Sequence, residues 1–292
     1  MRVVFDIGGS RVRAARSPQP GVVDMIEEWP TQLASFATFA DRLEQAAAGA
    51  RDIALSLAGV IDADSGVARV ANIACLDGRR IKSDLESRLG CRVHVANDAD
   101  CFALAEAKSG AGRGHRVVFG VILGTGTGGG LVVDGQLHQG AGGYAGEWGH
   151  GPALRDGIVP ALTCGCGLTG CLDTLANARG LERLDRHLGG TGRDSRAILT
   201  AWAAGEALAE RTIALWVDLV SGPLAMVLNV LGPSVVPVGG GLSNNPALVA
   251  ALDKAVRARI LRRAGGPLLV PAHHRIEPGL IGASFLEMGA HG

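Results

Sequence analysis

The sequence predicts an α/β protein of two lobes with a cleft between them, and three observations carry that expectation. Strand-like apolar runs alternate with helical periods along the whole chain. A strand–glycine turn–strand unit occurs twice, near residue 8 and near residue 126, and each copy begins its own α/β half. No Ser/Pro-rich or low-complexity segment separates the halves, so the boundary is placed near residue 115 with no linker to mark it.

The first copy opens the chain. "RVVFDI" and "RVRAA" read as strands joined by a tight turn at Gly8, Gly9 and Ser10, where glycine admits positive φ. "ASFATFADRLEQAAAGA" has helical spacing with a glycine near its end. "DIALSLAG" and "CRVHVAN" read as short buried strands, and Asn97 to Lys108 as a helix opened by Asn97 or Asp98. The second copy, "RVVFGVILGTGTGGGLVVDG", is again a hairpin with glycines at its turn. Helices are expected at roughly Leu172 to His187 and Glu206 to Leu231, then the strand "SVVPVGGGLS". The helix "NPALVAALDKAVRARIL" follows with Pro246 near its first turn, and a closing helix runs from Leu280 to Met288. This divides the chain into a small N-terminal lobe at 1–115, completed by a C-terminal helix at 276–292, and a large lobe at 116–275.

The 292 residues carry 28 Lys+Arg and 28 Asp+Glu, so no global field recruits nucleic acid or an anionic membrane. "MRVVFDIGGS" is too short and too structured for a signal peptide. The apolar stretch Ile213 to Leu231 is broken by Asp218, Gly222, Pro223 and Asn229, which fits a buried helix better than a membrane span. A soluble, cytoplasmic protein is expected. Six cysteines in a chain this long are not a disulfide scaffold. Cys75, Cys91 and Cys101 read as small buried hydrophobes.

Three glycine clusters end strands: "DIGGSR" (6–11), "LGTGTGGG" (123–130) and "VGGGLS" (238–243). Backbone amides at such turns form anion-binding concavities, and the missing Cβ lets phosphate oxygens come close. None has the lysine and hydroxyl of a P-loop, and none fits the dinucleotide fingerprint. Singly each is more simply a turn; together they point to nucleotide phosphates held between the lobes. Asp6 ends the first strand, where its carboxylate either organises Mg²⁺ through water or serves the turn.

"EWGHGPALRDGIVPALTCGCGLTGCLDTLAN" sets Cys164, Cys166 and Cys171 within eight residues, with His150 fourteen residues upstream of the first. Thiolates this close, with glycines between them, let a short loop wrap one ion, and His150 completes a Cys₃His set suited to structural zinc. The spacing favours zinc over three free or redox-active thiols. Four protein ligands leave no open position, so such a zinc holds a loop rather than performing chemistry. In "NDAD", spacing alone makes Asp98 a helix cap, and Asp100 a solvated or capping group.

The order "DIGGSR…NDAD…LGTGTGGG…GEWGH…CGCGLTGC…GGGLS" resembles the ROK family of bacterial sugar kinases and related repressors, over nearly the whole chain. The resemblance implies a two-lobed actin-like/hexokinase-like ATPase fold with ribonuclease H-like duplicated lobes, an interdomain cleft and a small structural zinc site. "DIGGSR" departs from the usual "DIGGTK" but retains a hydroxyl and a positive charge. The resemblance makes Asp98 the general base of phosphoryl transfer, accepting the alcohol proton while Mg²⁺ and backbone amides stabilise the phosphoryl charge. It assigns ATP to Asp6, Gly8, Gly9, Ser10 and Arg11, to Gly124, Thr125 and Gly126, and to Gly239, Gly240 and Gly241. Sugar contacts fall to Gly59, Asn72, Asn97, Asp98, Glu147 and His150. His150 then has two tasks, one ring nitrogen on zinc and the other toward the sugar, so that zinc fixes a pocket wall including Glu147. Where the family usually has Glu after the last cysteine and its leucine, this chain has Asp173. That carboxylate is shorter by one methylene, and its reach to the sugar is direct or through water.

An ATP-dependent hexose or N-acetylhexosamine kinase is therefore expected, as a homodimer by family resemblance. A ROK-type sugar-sensing regulator would need an N-terminal helix-turn-helix, for which a chain with Asp6 already in the phosphate turn has no room. A non-catalytic actin-like ATPase leaves "GEWGH" and the cysteine knot unexplained. "GEWGH" retains Glu147, an acid that N-acetylmannosamine kinases of the family often lack. "ANIACLDG" and "NDADCFALAEA" are more similar to bacterial N-acetylglucosamine kinases than to glucokinases, which stand as the alternative. Discrimination at the sugar C2 is expected from the loops "QGAGGYAG" (139–146) and "SLAGVID".

Overall fold

The structure, a computed structural model, describes residues 2–31, 34–47, 49–151, 159–263 and 265–286. In chain order the elements are β1 (Arg2–Ile7), β2 (Arg11–Ser17), β3 (Asp24–Pro30), α1 (Phe36–Ala47), β4 (Asp52–Leu57), β5 (Val60–Ile61) and β6 (Ala68–Arg69). Next come α2 (Ile81–Leu89), β7 (Arg92–Asn97), α3 (Asp98–Ser109), β8 (Val117–Leu123), β9 (Thr127–Val133) and β10 (Gln136–Leu137). The chain then forms α4 (Asp173–Ala176), α5 (Ala178–His187), α6 (Ser195–Ala203), α7 (Ala207–Leu231), β11 (Val236–Gly239), α8 (Pro246–Arg257), β12 (Leu269–Pro271) and α9 (Pro278–Ser284). The expected helix at 172–187 is two helices, because Asn177 leaves the helical region (φ −86°, ψ 176°) and caps α5 through the Gly180 amide. The closing helix ends at Ser284; Glu287 and Met288 lie outside the described residues.

The described residues group into two compact units, one within 1–114, 130–145 and 274–292, the other within 115–129 and 146–273. Residues 130–145, which the sequence reading gave to the large lobe, group with the first unit. Glycine permits that association. A Cβ on Gly130 would come 2.7 Å from the Ala99 carbonyl oxygen of α3, and one on Gly143 would come 2.0 Å from the Ile61 carbonyl oxygen.

In the first unit a mixed sheet runs β3-β2-β1-β4-β7, antiparallel through the hairpins and parallel from β1 to β4 to β7. Val3, Val4, Phe5 and Ile7 of β1 and Ile53, Ala54, Leu55 and Leu57 of β4 are buried to 1 % or less. Central parallel strands covered on both faces read as continuous apolar runs, and these do. Helix α1 contributes Phe39, Ala40, Leu43 and Ala46 at helical spacing to the same core. Helix α3 is buried almost all round, from Ala99 to Glu106. It has Asn97 as its N-cap, accepting from the Ala99 and Asp100 amides. Asp100, expected to be solvated or capping, is instead 3 % exposed, because α3 lies inside the unit rather than on its surface.

The second sheet has the order β10-β9-β8-β11-β12, so both sheets follow the same scheme of third, second, first, fourth and fifth strand. The duplication read from the two glycine hairpins is thus a duplication of topology. Helix α7 is long and apolar enough to cross a membrane by length and composition. It packs on α5, α6 and α8 and buries Ile213, Trp216, Val220 and Leu224 at steps of three and four.

Glycine also lets α9 lie against α3: a Cβ on Gly282 would come 1.8 Å from the Cys101 carbonyl oxygen, an atom of helical backbone with nowhere to retreat. Gly282→Ala is expected to lower stability by roughly 1–3 kcal/mol through overpacking, despite the ~1 kcal/mol by which alanine is favoured over glycine in an open helix. A urea midpoint equal to or above wild type would show that the two helices do not meet this closely.

Candidate active site and metal centre

The parallel pairing of the first unit aligns strand ends. Ile7 of β1 is opposite Leu57 of β4, and Leu57 is opposite Asn97 of β7. The chain therefore leaves the sheet at one edge through three successive turns, at Gly8, at Gly59 and at Asp98. Carboxyl ends of parallel strands are where open α/β sheets bind ligands. The Asn97 amide group donates to the Gly59 carbonyl at 2.9 Å, tying two of these turns together. A Cβ on Gly9 would lie 3.3 Å from the Asn72 Cβ, so Asn72 backs directly onto the first turn. Asp98 is the first residue of α3 and is exposed; Asn97 is the N-cap, and Asp98 Oδ1 also accepts from the Ala99 amide at 2.9 Å. Five of the sequence-derived residues, Gly9, Gly59, Asn72, Asn97 and Asp98, thus lie along one edge.

The first turn is closed by the Gly8 amide donating to the Arg11 carbonyl at 2.9 Å, and by Thr31 Oγ1 donating to the Gly8 carbonyl at 2.8 Å. Arg11 is in an ion pair with Glu28, and Ser10 is exposed at the tip. Asp6 is not bound to the turn. Its Oδ1 accepts from Ser56 Oγ at 2.8 Å, and its Oδ2 lies 3.7 Å from Arg13 Nη1. Arg13 also meets Glu28 at 2.8 Å and Glu277 at 3.4 Å, so one guanidinium faces three carboxylates. Burial pushes the Asp6 carboxyl above the usual range, against the opposing pull of the Ser56 hydroxyl and Arg13.

In the second unit, β8 and β11 are parallel, with Ile122 opposite Gly239. The two glycine clusters that follow touch: a Cβ on Gly240 would come 2.5 Å from the Leu123 carbonyl and 2.7 Å from the Gly124 nitrogen. Gly240 has φ 85°, so glycine is required twice over. Thr125, Gly126, Gly240 and Gly241 are exposed, and Gly239 is buried. The amides and carbonyls of this turn are placed by its neighbours. Ala178 N donates to the Gly124 carbonyl at 3.0 Å, and Asp173 Oδ1 accepts from the Thr127 amide at 2.6 Å.

His150, Cys164, Cys166 and Cys171 each direct one donor atom into a cluster whose atoms all lie within 4.8 Å of one another. Cys166 Sγ is 3.6 Å from Cys171 Sγ, and Cys164 Sγ is 3.7 Å from His150 Nδ1. Metal–sulfur bonds of about 2.3 Å at tetrahedral angles give edges of about 3.8 Å, so the donor set fits one tetrahedral ion. The loop is a tight hairpin: the Cys164 amide donates to the Leu168 carbonyl, Thr163 bridges to Thr169, and the Gly151 amide points at Cys171 Sγ from 3.3 Å. Burial raises the Cys164 thiol to about 12, while the Leu168 amide holds the Cys166 thiol near 7. His150 Nε2, the nitrogen turned away from the cluster, lies 3.4 Å from Glu147 Oε2. Burial raises the Glu147 carboxyl, with His150 opposing and Asp173 adding to the shift.

Sequence reasoning missed Ser56, Arg13 and Glu277 around Asp6, and Thr127 and Trp148 beside the metal loop. Arg13 was within reach, because it stands directly opposite Asp6 in the β1–β2 hairpin. Ser56 and Glu277 needed the strand pairing and the return of the C-terminal segment.

The raised carboxyl of Asp6 makes a signed prediction. As pH rises through the ordinary aspartate range the unfolded chain ionises first, so the native state loses relative stability until folded Asp6 ionises too. Asp6→Asn removes that loss and is expected to be more stable than wild type at pH 7, by roughly 0.5–2 kcal/mol, while activity falls. Denaturant titrations at pH 4 and pH 7 check it; a variant less stable at pH 7 would refute the burial argument.

Comparisons with known proteins agree with this architecture. A profile of the ROK family matches residues 10–289. The N-acetyl-D-glucosamine kinase of Pasteurella multocida (strain Pm70) is 37 % identical over 305 residues, which cover 98 % of this chain and 99 % of that protein. The N-acetylgalactosamine kinase AgaK of Shewanella sp. (strain ANA-3) is 34 % identical, covering 98 % of this chain and 96 % of its own. The crystal structure of a ROK family glucokinase from Streptomyces griseus, in complex with glucose and AMPPNP, superposes with a TM-score of 0.77 at 27 % identity, over 97 % of each chain. With that match over nearly its whole length, on an α/β fold of mixed sheets, the chain belongs to the ROK family.

Proposed function

We propose that this chain is an ATP-dependent sugar kinase that phosphorylates the 6-hydroxyl of N-acetyl-D-glucosamine, with Asp98 as the general base. The observation that carries the reading is the exposed carboxylate of Asp98 at the start of α3, with the capping task taken by Asn97 at the end of a strand row. In this mechanism Asp98 accepts the proton of the sugar hydroxyl as its oxygen bonds to the γ-phosphorus and the bond to the β,γ-bridging oxygen of ATP breaks. Gly59, Asn72 and Asn97 orient the ring, and Glu147 and His150 bind further hydroxyls. The glycine turns at 8–10, 124–126 and 239–241 would supply backbone amides to phosphates, and Asp6 would hold Mg²⁺, whose charge would offset that of the phosphates. A zinc ion on His150, Cys164, Cys166 and Cys171 would stabilise the loop bearing Glu147, with no open position for chemistry.

The second reading is a kinase for glucose or another hexose, favoured by the likeness to the glucose-bound glucokinase. The N-acetylgalactosamine kinase likeness keeps an acetamido group at C2 but inverts C4. The tight seat of Gly143 on the Ile61 carbonyl joins the two loops expected to face C2.

Asp98→Ala is expected to lower kcat by about 10²–10⁴ while sugar affinity stays within a few-fold. Retention of more than about a tenth of wild-type kcat would remove Asp98 as the base. A panel of N-acetylglucosamine, N-acetylgalactosamine, N-acetylmannosamine and glucose in a coupled ADP assay should show the highest kcat/KM for N-acetylglucosamine. Glucose should remain a secondary substrate, since one small steric feature discriminates only about 10–200-fold. Preference for glucose by tenfold or more would move the assignment to glucokinase.

A further inference from the structure

The segments that carry the metal ligands are the segments that hold the glycine turn at 124–127. Thr127, 5 % exposed, is the residue by which that turn re-enters β9. Its amide donates to Asp173 Oδ1 at 2.6 Å. Its carbonyl oxygen would lie 2.7 Å from a Cβ on Gly149, so only glycine lets the residue before His150 approach it. Trp148 Nε1 donates to the Gly128 carbonyl at 2.8 Å, and a Cβ on Gly129 would strike Trp148 at the same distance. The loop is closed on itself where the Asp173 amide donates to the Gly149 carbonyl at 2.8 Å. Trp148 and Gly149 immediately precede the ligand His150, and Asp173 follows the ligand Cys171 by two residues.

We propose that Asp173 is a positioning residue for the nucleotide: it couples the metal loop to the turn at 124–127, so that metal loading sets affinity for ATP. The inference rests on reading that turn as a phosphate-holding element and the Cys₃His cluster as a metal site. Asp173 is one methylene shorter than the glutamate expected at this position. Its Oδ1 is taken up by a backbone amide, and its Oδ2 faces Cys164 Sγ at 3.8 Å. A group held this way is suited to fixing backbone. When the metal is present its ligands immobilise both ends of the loop, and Thr127 is gripped from two sides. When it is removed, the hairpin at 163–171 and the segment at 147–150 are no longer joined through the ion, and the grip on Thr127 loosens.

The test measures binding, separately from turnover. A non-hydrolysable ATP analogue and N-acetylglucosamine are each titrated by calorimetry into wild type, Asp173→Ala and Asp173→Asn, before and after chelation, with metal content from elemental analysis. Asp173→Ala should weaken the analogue about tenfold or more, the effect of losing a charge-assisted hydrogen bond, and by a larger factor than it weakens the sugar, with metal content unchanged. Asp173→Asn retains an oxygen that accepts from Thr127 and should lie within about threefold of wild type. Chelation should weaken the analogue in wild type but add little in Asp173→Ala, since both remove the same coupling. The proposal is overturned if Asp173→Ala weakens the sugar and spares the analogue, if it loses metal, or if chelation acts equally on both proteins. A wild type that binds no ATP analogue would instead dispose of the kinase reading.

Discussion

Parallel strand pairing sets the geometry on which the rest of this protein depends. Because β1, β4 and β7 run in one direction with Ile7, Leu57 and Asn97 in a row, three turns emerge at a single edge. A one-residue slip in register would swap every side chain between the two packed faces and so undo the close packing on both. The core that fixes the row, Phe5, Leu55 and Val93 among others, thereby fixes where Gly9, Gly59 and Asp98 stand. The second unit applies the same rule with Ile122 beside Gly239, which is why its two glycine clusters meet.

Around these rows, buried carboxylates hold the connecting chain. Glu106, fully buried in α3, accepts from the His274 amide at 2.7 Å through one oxygen and from the Ala111 amide at 2.8 Å through the other. Asp253 accepts from the Leu268 and Leu269 amides and meets Arg257. Asp185 meets Arg193 and the Thr212 hydroxyl, while a Cβ on Gly190 would come within 2.1 Å of it. A charge is costly to bury alone, but each of these is met by several donors. Loss of Glu106 or Asp253 would leave backbone amides inside the protein without acceptors, and loss of Asp185 would strip Arg193 and the Thr212 hydroxyl of theirs.

The surroundings of Asp6 follow a different logic. There one arginine faces Asp6, Glu28 and Glu277, and burial raises both Asp6 and Glu277. Glu277 adopts φ 50°, a conformation that side chains other than those of glycine and asparagine seldom take. Crowded acids and a left-handed residue beside a glycine turn are not what stability alone would select. Local strain of this kind clusters at functional sites.

The sequence by itself determined the α/β class, the duplicated hairpin, the cysteine–histidine cluster and the helix that begins at Asp98. All of these rest on short-range rules: period, glycine turns, ligand spacing and capping chemistry. Only the tertiary structure decided that residues 130–145 belong with the first unit, because Gly130 and Gly143 approach backbone atoms distant in sequence. It decided that Asp100 is buried, since the exposure of a helix depends on what packs against it. It also turned Asp173 onto the Thr127 amide, a contact across forty-six residues of chain. Which partner a polar side chain takes is set by distances between elements, and those distances follow from packing, which local sequence does not contain.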